Sequence, residues 1–180
     1  RVLFRSIIAA GRLGGQQSLP VEVRRPAYTW AGLGPEWLNA PSVRLADDSQ
    51  VFFRGVQFVI YSLREQRPVH SGDLRTWPNW PPAWNGITAA ARFDADTIVL
   101  LNGGEWVPFS LARQGITGAP KPVTAWVNFP FPTVDAAVTF TPDSILFFHG
   151  TRFIRYLMSA SGNSFDTAGD TTAWQGWPAH

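Results

Sequence analysis

The sequence of 180 residues has no cysteine, one methionine and a single lysine, Lys121, among its fifteen basic side chains. Without cysteine the fold has no disulfide, and the lack of thiols identifies no cellular compartment. The formal net charge is only +2 and the arginines form no run, so nucleic acid is not expected as a partner. No apolar stretch is long enough to cross a membrane as a helix, so no membrane span is expected.

One segment recurs four times and organises the whole sequence. Its copies are Val2–Ser6, Val51–Gly55, Val99–Gly103 and Leu146–Gly150, and their first residues lie 49, 48 and 47 positions apart. A period of this length indicates an array of supersecondary units. Turn-forming Asp, Ser, Pro and Gly residues separate the apolar runs, and no window keeps a helical periodicity, so each unit is predicted to consist of short strands.

Small and aromatic residues also recur at fixed places within the units. The run Ile87–Phe93 aligns without gaps to Val134–Phe140, and Asn39–Leu45 aligns more weakly to both. Each unit closes on a tryptophan: Trp30, Trp77, Trp126 and Trp174. Because strands crowd near the axis of a closed ring, we expect the small residues on the innermost strands and the aromatic residues as wedges between sheets.

These features predict an all-β protein, a four-bladed β-propeller that forms one domain over residues 1–180. The predicted blades are residues 1–38, 39–86, 87–133 and 134–180. The first blade is partial, because Arg1 aligns just before the second strand of a unit and the inner strand is absent from this chain. We expect residues upstream of Arg1, or another chain, to supply that strand.

Several stretches resemble the hemopexin-like repeat: Val134–Ala137 with Phe147–Gly150, the aromatic strand Phe153–Tyr156, and the closing segment Trp77–Pro81. The resemblance covers nearly the whole chain and implies a four-bladed β-propeller, in agreement with the repeat. Domains of this family are often closed by a disulfide between the first and last blades. This sequence cannot form one, so we expect strand pairing or packing to close the ring.

The resemblance also implies a cation site on the propeller axis. In this family the first residue of each Asp-Ala-Ala motif points its backbone carbonyl into the central channel. The matching residues here are Asp135, Thr88 and, less closely, Ala40. Such oxygen donors favour calcium or sodium, and the alternative is a channel filled with water. The family name suggests haem as well, but His149 lies in a turn and is interpreted as a turn residue.

The sequence carries no constellation typical of catalysis. It offers no cysteine nucleophile, and its three histidines, at positions 70, 149 and 180, stand in different segments. The paired carboxylates Asp94 and Asp96 lie between two apolar runs, where turn formation accounts for them. We therefore expect a protein that is not an enzyme.

Two groups of residues are candidate ligand contacts. Trp37 and Trp84 stand outside the strict repeat, in connectors where exposed aromatic rings would line a groove at one end of the ring. Arg64, Arg67 and His70 belong to a polar outer segment of the second unit. We predict a non-enzymatic binding module that recognises a protein or another ligand through blade-end loops and the channel. The alternatives are a lectin or albumin-type binder of carbohydrate, haem or polyamine, and a storage or structural protein.

Overall fold

The fold is built from β-strands, as the sequence predicts. The structure is a computed structural model that describes residues 30–46, 48–158 and 164–173. Within these ranges the helical structure consists of short 3-10 turns: Pro35–Trp37, Leu74–Thr76, Val123–Ala125 and Thr171–Ala173. None of the helical segments found there has the length and hydropathy to span a membrane. Most of the predicted first blade, residues 1–29, lies outside the described residues.

Three antiparallel sheets follow one another along the chain. The first contains, in spatial order, β1 (Ser42–Ala46), β2 (Ser49–Arg54), β3 (Gln57–Ser62) and β4 (Arg67–Asp73). The second contains β5 (Ala89–Arg92), β6 (Thr97–Asn102), β7 (Glu105–Ser110), β8 (Gly115–Ile116) and β9 (Lys121–Pro122), with β8 and β9 both paired to β7. The third contains β10 (Ala136–Thr141), β11 (Ser144–His149), β12 (Arg152–Leu157) and β13 (Ser164–Asp170). These sheets fall within the predicted units 39–86, 87–133 and 134–180.

The first strands of the three sheets lie side by side. Strand β5 contacts both β1 and β10. The backbone N–H of Arg92 on β5 donates to Thr139 Oγ1 on β10 at 2.8 Å, and the Arg92 guanidinium donates to the Leu45 carbonyl on β1. The alanines of β5 are at most 2% exposed, so small residues occupy the crowded centre as predicted.

Aromatic wedges lie between neighbouring sheets, also as predicted. Trp77 packs between the first two sheets, with ring centroids 5.1 Å from Phe58 and 4.5 Å from Phe109. Trp126 takes the matching place between the second and third sheets, 5.1 Å from both Trp106 and Phe147. Large flat apolar rings suit a wedge because they bury much area at little conformational cost.

Candidate functional site

The three residues predicted to hold a cation lie just before the innermost strands. Ala40 precedes β1 by one intervening residue, while Thr88 and Asp135 directly precede β5 and β10. Thr88 Oγ1 lies 3.4 Å from the Val134 carbonyl, and the Arg92–Thr139 bond links the two segments again four residues after Thr88 and five residues after Val134, so β5 and β10 run in the same direction. The backbones of Thr88 and Asp135 therefore come to the same end of the axis.

The side chains of Thr88 and Asp135 are engaged elsewhere. Thr88 Oγ1 accepts the N–H of Gly103 at 2.9 Å, and Asp135 Oδ2 accepts the N–H of Gly150 at 2.7 Å. Searching the described residues for three or more Asp, Glu, His or Cys side chains able to share a metal finds no such group. The resemblance implies that a cation on the axis would be held by backbone carbonyl oxygens, which suit a hard ion such as calcium or sodium.

His149 stands beside a hydroxyl and a carboxylate, but the geometry is not that of a catalytic triad. Its Nδ1 lies 3.1 Å from Thr133 Oγ1 and 3.8 Å from Asp135 Oδ2. In a triad the nucleophile and the acid meet opposite nitrogens of the imidazole ring, so that one orients the base and the other loses its proton. Here both groups face the same nitrogen, so no proton relay runs from Thr133 through the ring to Asp135.

The expectation that Trp37 and Trp84 are exposed is wrong. Their side chains are 8% and 4% exposed. Trp37 belongs to a core cluster with Phe52 and Tyr61 on the face of the first sheet that points away from the second sheet. Trp84 lies edge-on to Trp80 and donates its Nε1–H to Glu105 Oε2 at 2.9 Å. Both rings serve as packing, which leaves them little surface for a ligand.

The polar outer segment of the second unit divides into two parts. Arg64 and Arg67 are exposed near the β3–β4 turn, where Arg67 forms a surface ion pair with Glu65. His70 lies on β4, the outermost strand of its sheet, and its ring is 5.6 Å from that of Phe58. His70 borders a cavity, whereas the two arginines do not contribute to its lining.

This cavity, of about 420 Å³, lies between the first and second sheets. Its lining is almost entirely apolar: Leu45, Val51, Phe53, Phe58, Ile60, Trp77, Ile98, Leu100, Phe109 and Leu111. The polar lining residues are His70, Thr76 and Gln114, and all three are exposed. The cavity therefore has an apolar body and a polar mouth on the surface.

The two matching wedges carry different side chains at equivalent positions. Leu100 pairs with Ala90 on β5, and Phe147 occupies the equivalent place opposite Ala137 on β10. Phe147 packs 5.2 Å from Phe129, which follows the closing tryptophan of its own unit by three residues. The counterpart of Phe129 is Trp80, which packs edge-on against Trp84 with ring centroids 6.0 Å apart, just as Phe129 packs edge-on against Phe131 at 6.0 Å. On the facing sheet the order of sizes is reversed, since Phe53 of β2 occupies the place that Leu101 of β6 holds in the next wedge, so each wedge combines one phenylalanine with one leucine.

A capped 3-10 turn positions the mouth. Asp73 accepts the backbone N–H of Arg75 at 2.9 Å, and its backbone carbonyl accepts Thr76 Oγ1–H at 2.7 Å. The Arg75 guanidinium also bonds to the carboxylate, and these bonds lower the pKa of Asp73 from its ordinary 3.8 to about 2. The turn delivers Thr76 to the rim and Trp77 to the wall of the cavity.

Sequence reasoning singled out His70 but did not predict the cavity. Leu100 and Phe147 occupy the same place in consecutive units, but Phe53 and Leu101 on the facing strands differ in the opposite sense, so the repeat gave no signal of the cavity. Repeated features reveal the architecture, whereas departures from the repeat reveal where one wedge differs from the next.

Successive antiparallel sheets around a common axis, joined by aromatic wedges, define a hemopexin-like fold. Known structures share it: a hemopexin-fold protein from cow pea matches with a TM-score of 0.62 and 14% identity over 72% of this chain and 66% of that one. A plant albumin from Cicer arietinum showing hemagglutination matches with a TM-score of 0.61 and 16% identity over 72% and 66%.

A plant lectin with two metal-binding sites, also from Cicer arietinum, matches with a TM-score of 0.61 and 14% identity over 72% of this chain and 64% of that one. The chain thus spans just under two thirds of the length of these structures. No protein-family model matches the sequence, and no curated protein does. The resemblance read from the repeats is confirmed at the level of fold.

Proposed function

We propose that this protein is a non-enzymatic binding module that holds a small molecule between its second and third blades. The observation that carries the proposal is the cavity of about 420 Å³ with apolar walls and a polar mouth. Small-molecule sites are typically concave, mostly apolar and preformed, with a few polar groups that orient the ligand. The cavity has each of these properties.

The side chains that line the cavity favour ligand binding over catalysis. His70 is the one titratable side chain among the described residues that line it. General acid–base or nucleophilic catalysis needs a second group within hydrogen-bond reach to orient or activate the first. A lone histidine at the rim is suited to donate or accept one hydrogen bond to a ligand.

The similar structures support a binding role of this general kind. They include a plant albumin showing hemagglutination and a plant lectin with two metal-binding sites. A lectin-like function would require contact with carbohydrate or protein at exposed polar side chains. Arg64 and Arg67 supply such a surface on the same blade as His70, and we propose them as the contact for a macromolecular partner.

A cation on the axis is a separate proposal. The backbone carbonyls of Ala40, Thr88 and Asp135 would hold calcium or sodium there, with no contribution from the Thr88 and Asp135 side chains. Calorimetric titration of the chelator-treated protein with calcium chloride tests this. Heat of binding in wild type and in Asp135→Thr supports carbonyl coordination, whereas its absence in wild type refutes the site.

A cavity-filling variant tests the small-molecule proposal. Leu100→Phe copies the residue of the neighbouring wedge, and Val138→Phe introduces the same side chain at an exposed position on β10 as a control. A chemically varied panel of neutral and charged small molecules would be screened by thermal shift and calorimetry. We expect at least one class to bind wild type and Val138→Phe but not Leu100→Phe. Equal binding to all three proteins would place the ligand elsewhere.

A further inference from the structure

The lining of the cavity excludes charged ligands. Among the described residues that line it, none is Asp, Glu, Lys or Arg. Moving a charge from water into an apolar site is costly unless an opposite charge or several hydrogen bonds receive it. A polyamine would find no carboxylate in the cavity, and a carboxylate ligand would find no guanidinium or ammonium group there.

The walls favour a flat ring. Trp77 contacts Phe53, Phe58 and Phe109, with centroid separations of 6.2, 5.1 and 4.5 Å, and all four rings line the cavity. Aromatic rings attract one another through offset and edge-to-face contacts, which a saturated ring of the same size cannot make. The remaining lining side chains are branched and aliphatic. They can contact the face of a ring that carries no polar group.

The exposed rim of the cavity provides a small number of hydrogen-bonding groups. His70, Thr76 and Gln114 carry the polar atoms of the lining side chains other than the Trp77 indole N–H, and they are exposed. His70 is held against the cavity wall by its contact with Phe58. A ligand with its polar group at one end would keep that group at the mouth while its body enters the apolar space.

Resting on the function proposed above, we infer that the cavity binds an uncharged, planar aromatic molecule with one hydrogen-bonding group at the His70 end. Leu100 lines the site, and a phenylalanine in its place would reduce the volume open to the ligand. His70 is the residue that selects for the polar end of the ligand.

Four related compounds test the ligand class on the full chain by isothermal titration calorimetry. They are 2-naphthol, decahydro-2-naphthol without aromaticity, naphthalene without the hydroxyl, and 2-naphthoate with a charge. We expect 2-naphthol to bind at least about tenfold more tightly than each of the others. In His70→Phe, which keeps an aromatic ring against Phe58, the preference for 2-naphthol over naphthalene should disappear. If that preference survives, His70 does not select the polar end.

The outcomes separate the ligand class from the site. If the saturated or charged compound binds best and Leu100→Phe abolishes that binding, the aromatic class is wrong while the cavity remains the site. If 2-naphthol binds equally to wild type and Leu100→Phe, the proposed function itself fails. Thr76→Tyr narrows the mouth from an exposed position and provides the same comparison if Leu100→Phe does not fold. If none of the four compounds binds, the inference on ligand class is overturned.

Discussion

Thr88 and Asp135 accept equivalent hydrogen bonds in consecutive blades. Each directly precedes an innermost strand, and each side-chain oxygen accepts the N–H of a hairpin glycine, Gly103 at 2.9 Å and Gly150 at 2.7 Å. Both glycines have positive φ, 57° and 58°, a conformation that favours glycine. The side chain thus ties the start of each blade to the turn between its second and third strands.

This equivalence predicts that Asp135→Thr is tolerated and Asp135→Ala is not. Alanine leaves the Gly150 N–H without its acceptor, and we expect a loss of about 0.5–1 kcal/mol in the free energy of unfolding because the group is partly solvated. Threonine restores an acceptor of the kind seen at Thr88. Urea denaturation of the three proteins measures the difference, and equal destabilisation by alanine and threonine would contradict the shared role.

The hydrogen bond from Trp84 to Glu105 predicts a coupling between the loop that follows the first sheet and the start of β7. Glu105→Leu leaves the buried indole N–H unpaired, which should cost about 1–3 kcal/mol. Glu105→Gln keeps a carbonyl acceptor and should cost much less. Chemical denaturation measures both.

A double-mutant cycle with Trp84→Phe checks the cause of that loss. Once the N–H is removed, Glu105→Leu should have a smaller effect than in wild type, because no buried donor is left unpaired. Additive effects of the two substitutions would show that the bond contributes nothing to stability.

The architecture could be predicted from the sequence because its characteristic residues recur from unit to unit. The alanines of β5 and the closing tryptophans recur at one period, and packing around an axis is the arrangement that uses both. The burial of Trp37 and Trp84 could not be predicted, because a ring in a connector has no repeat partner to indicate its direction. The cavity could not be predicted either, because its walls combine Phe53 and Phe58 of one unit with Leu100 and Phe109 of the next. Such details depend on how side chains pack in three dimensions, and the repeat period does not determine them.

The difference between the two wedges predicts opposite effects of two reciprocal substitutions. Leu100→Phe adds apolar contact inside existing space and should raise the free energy of unfolding by about 1 kcal/mol. Phe147→Leu removes ring contacts with Trp126 and Phe129 and should lower it by about 1–2 kcal/mol. Thermal and urea unfolding provide the values. Destabilisation by Leu100→Phe would mean that the cavity cannot accept a ring in the orientation of Phe147.

The pKa of Asp73 predicts how the mouth of the cavity responds to acid. Its bonds to Arg75 lower the pKa from 3.8 to about 2 in the folded protein. Because the folded value lies below the ordinary one, the interaction stabilises the folded state fully above pH 3.8, and this contribution is lost as the pH falls toward about 2. Carboxyl-detected NMR titration should therefore show Asp73 ionised at pH 3.

Arg75→Gln removes the guanidinium and should move the pKa back toward 3.8, while Arg113→Gln on the second sheet's turn serves as a control. A midpoint that does not move in Arg75→Gln would show that the backbone N–H alone holds the carboxylate, and the turn that carries Thr76 would then keep its cap without the ion pair.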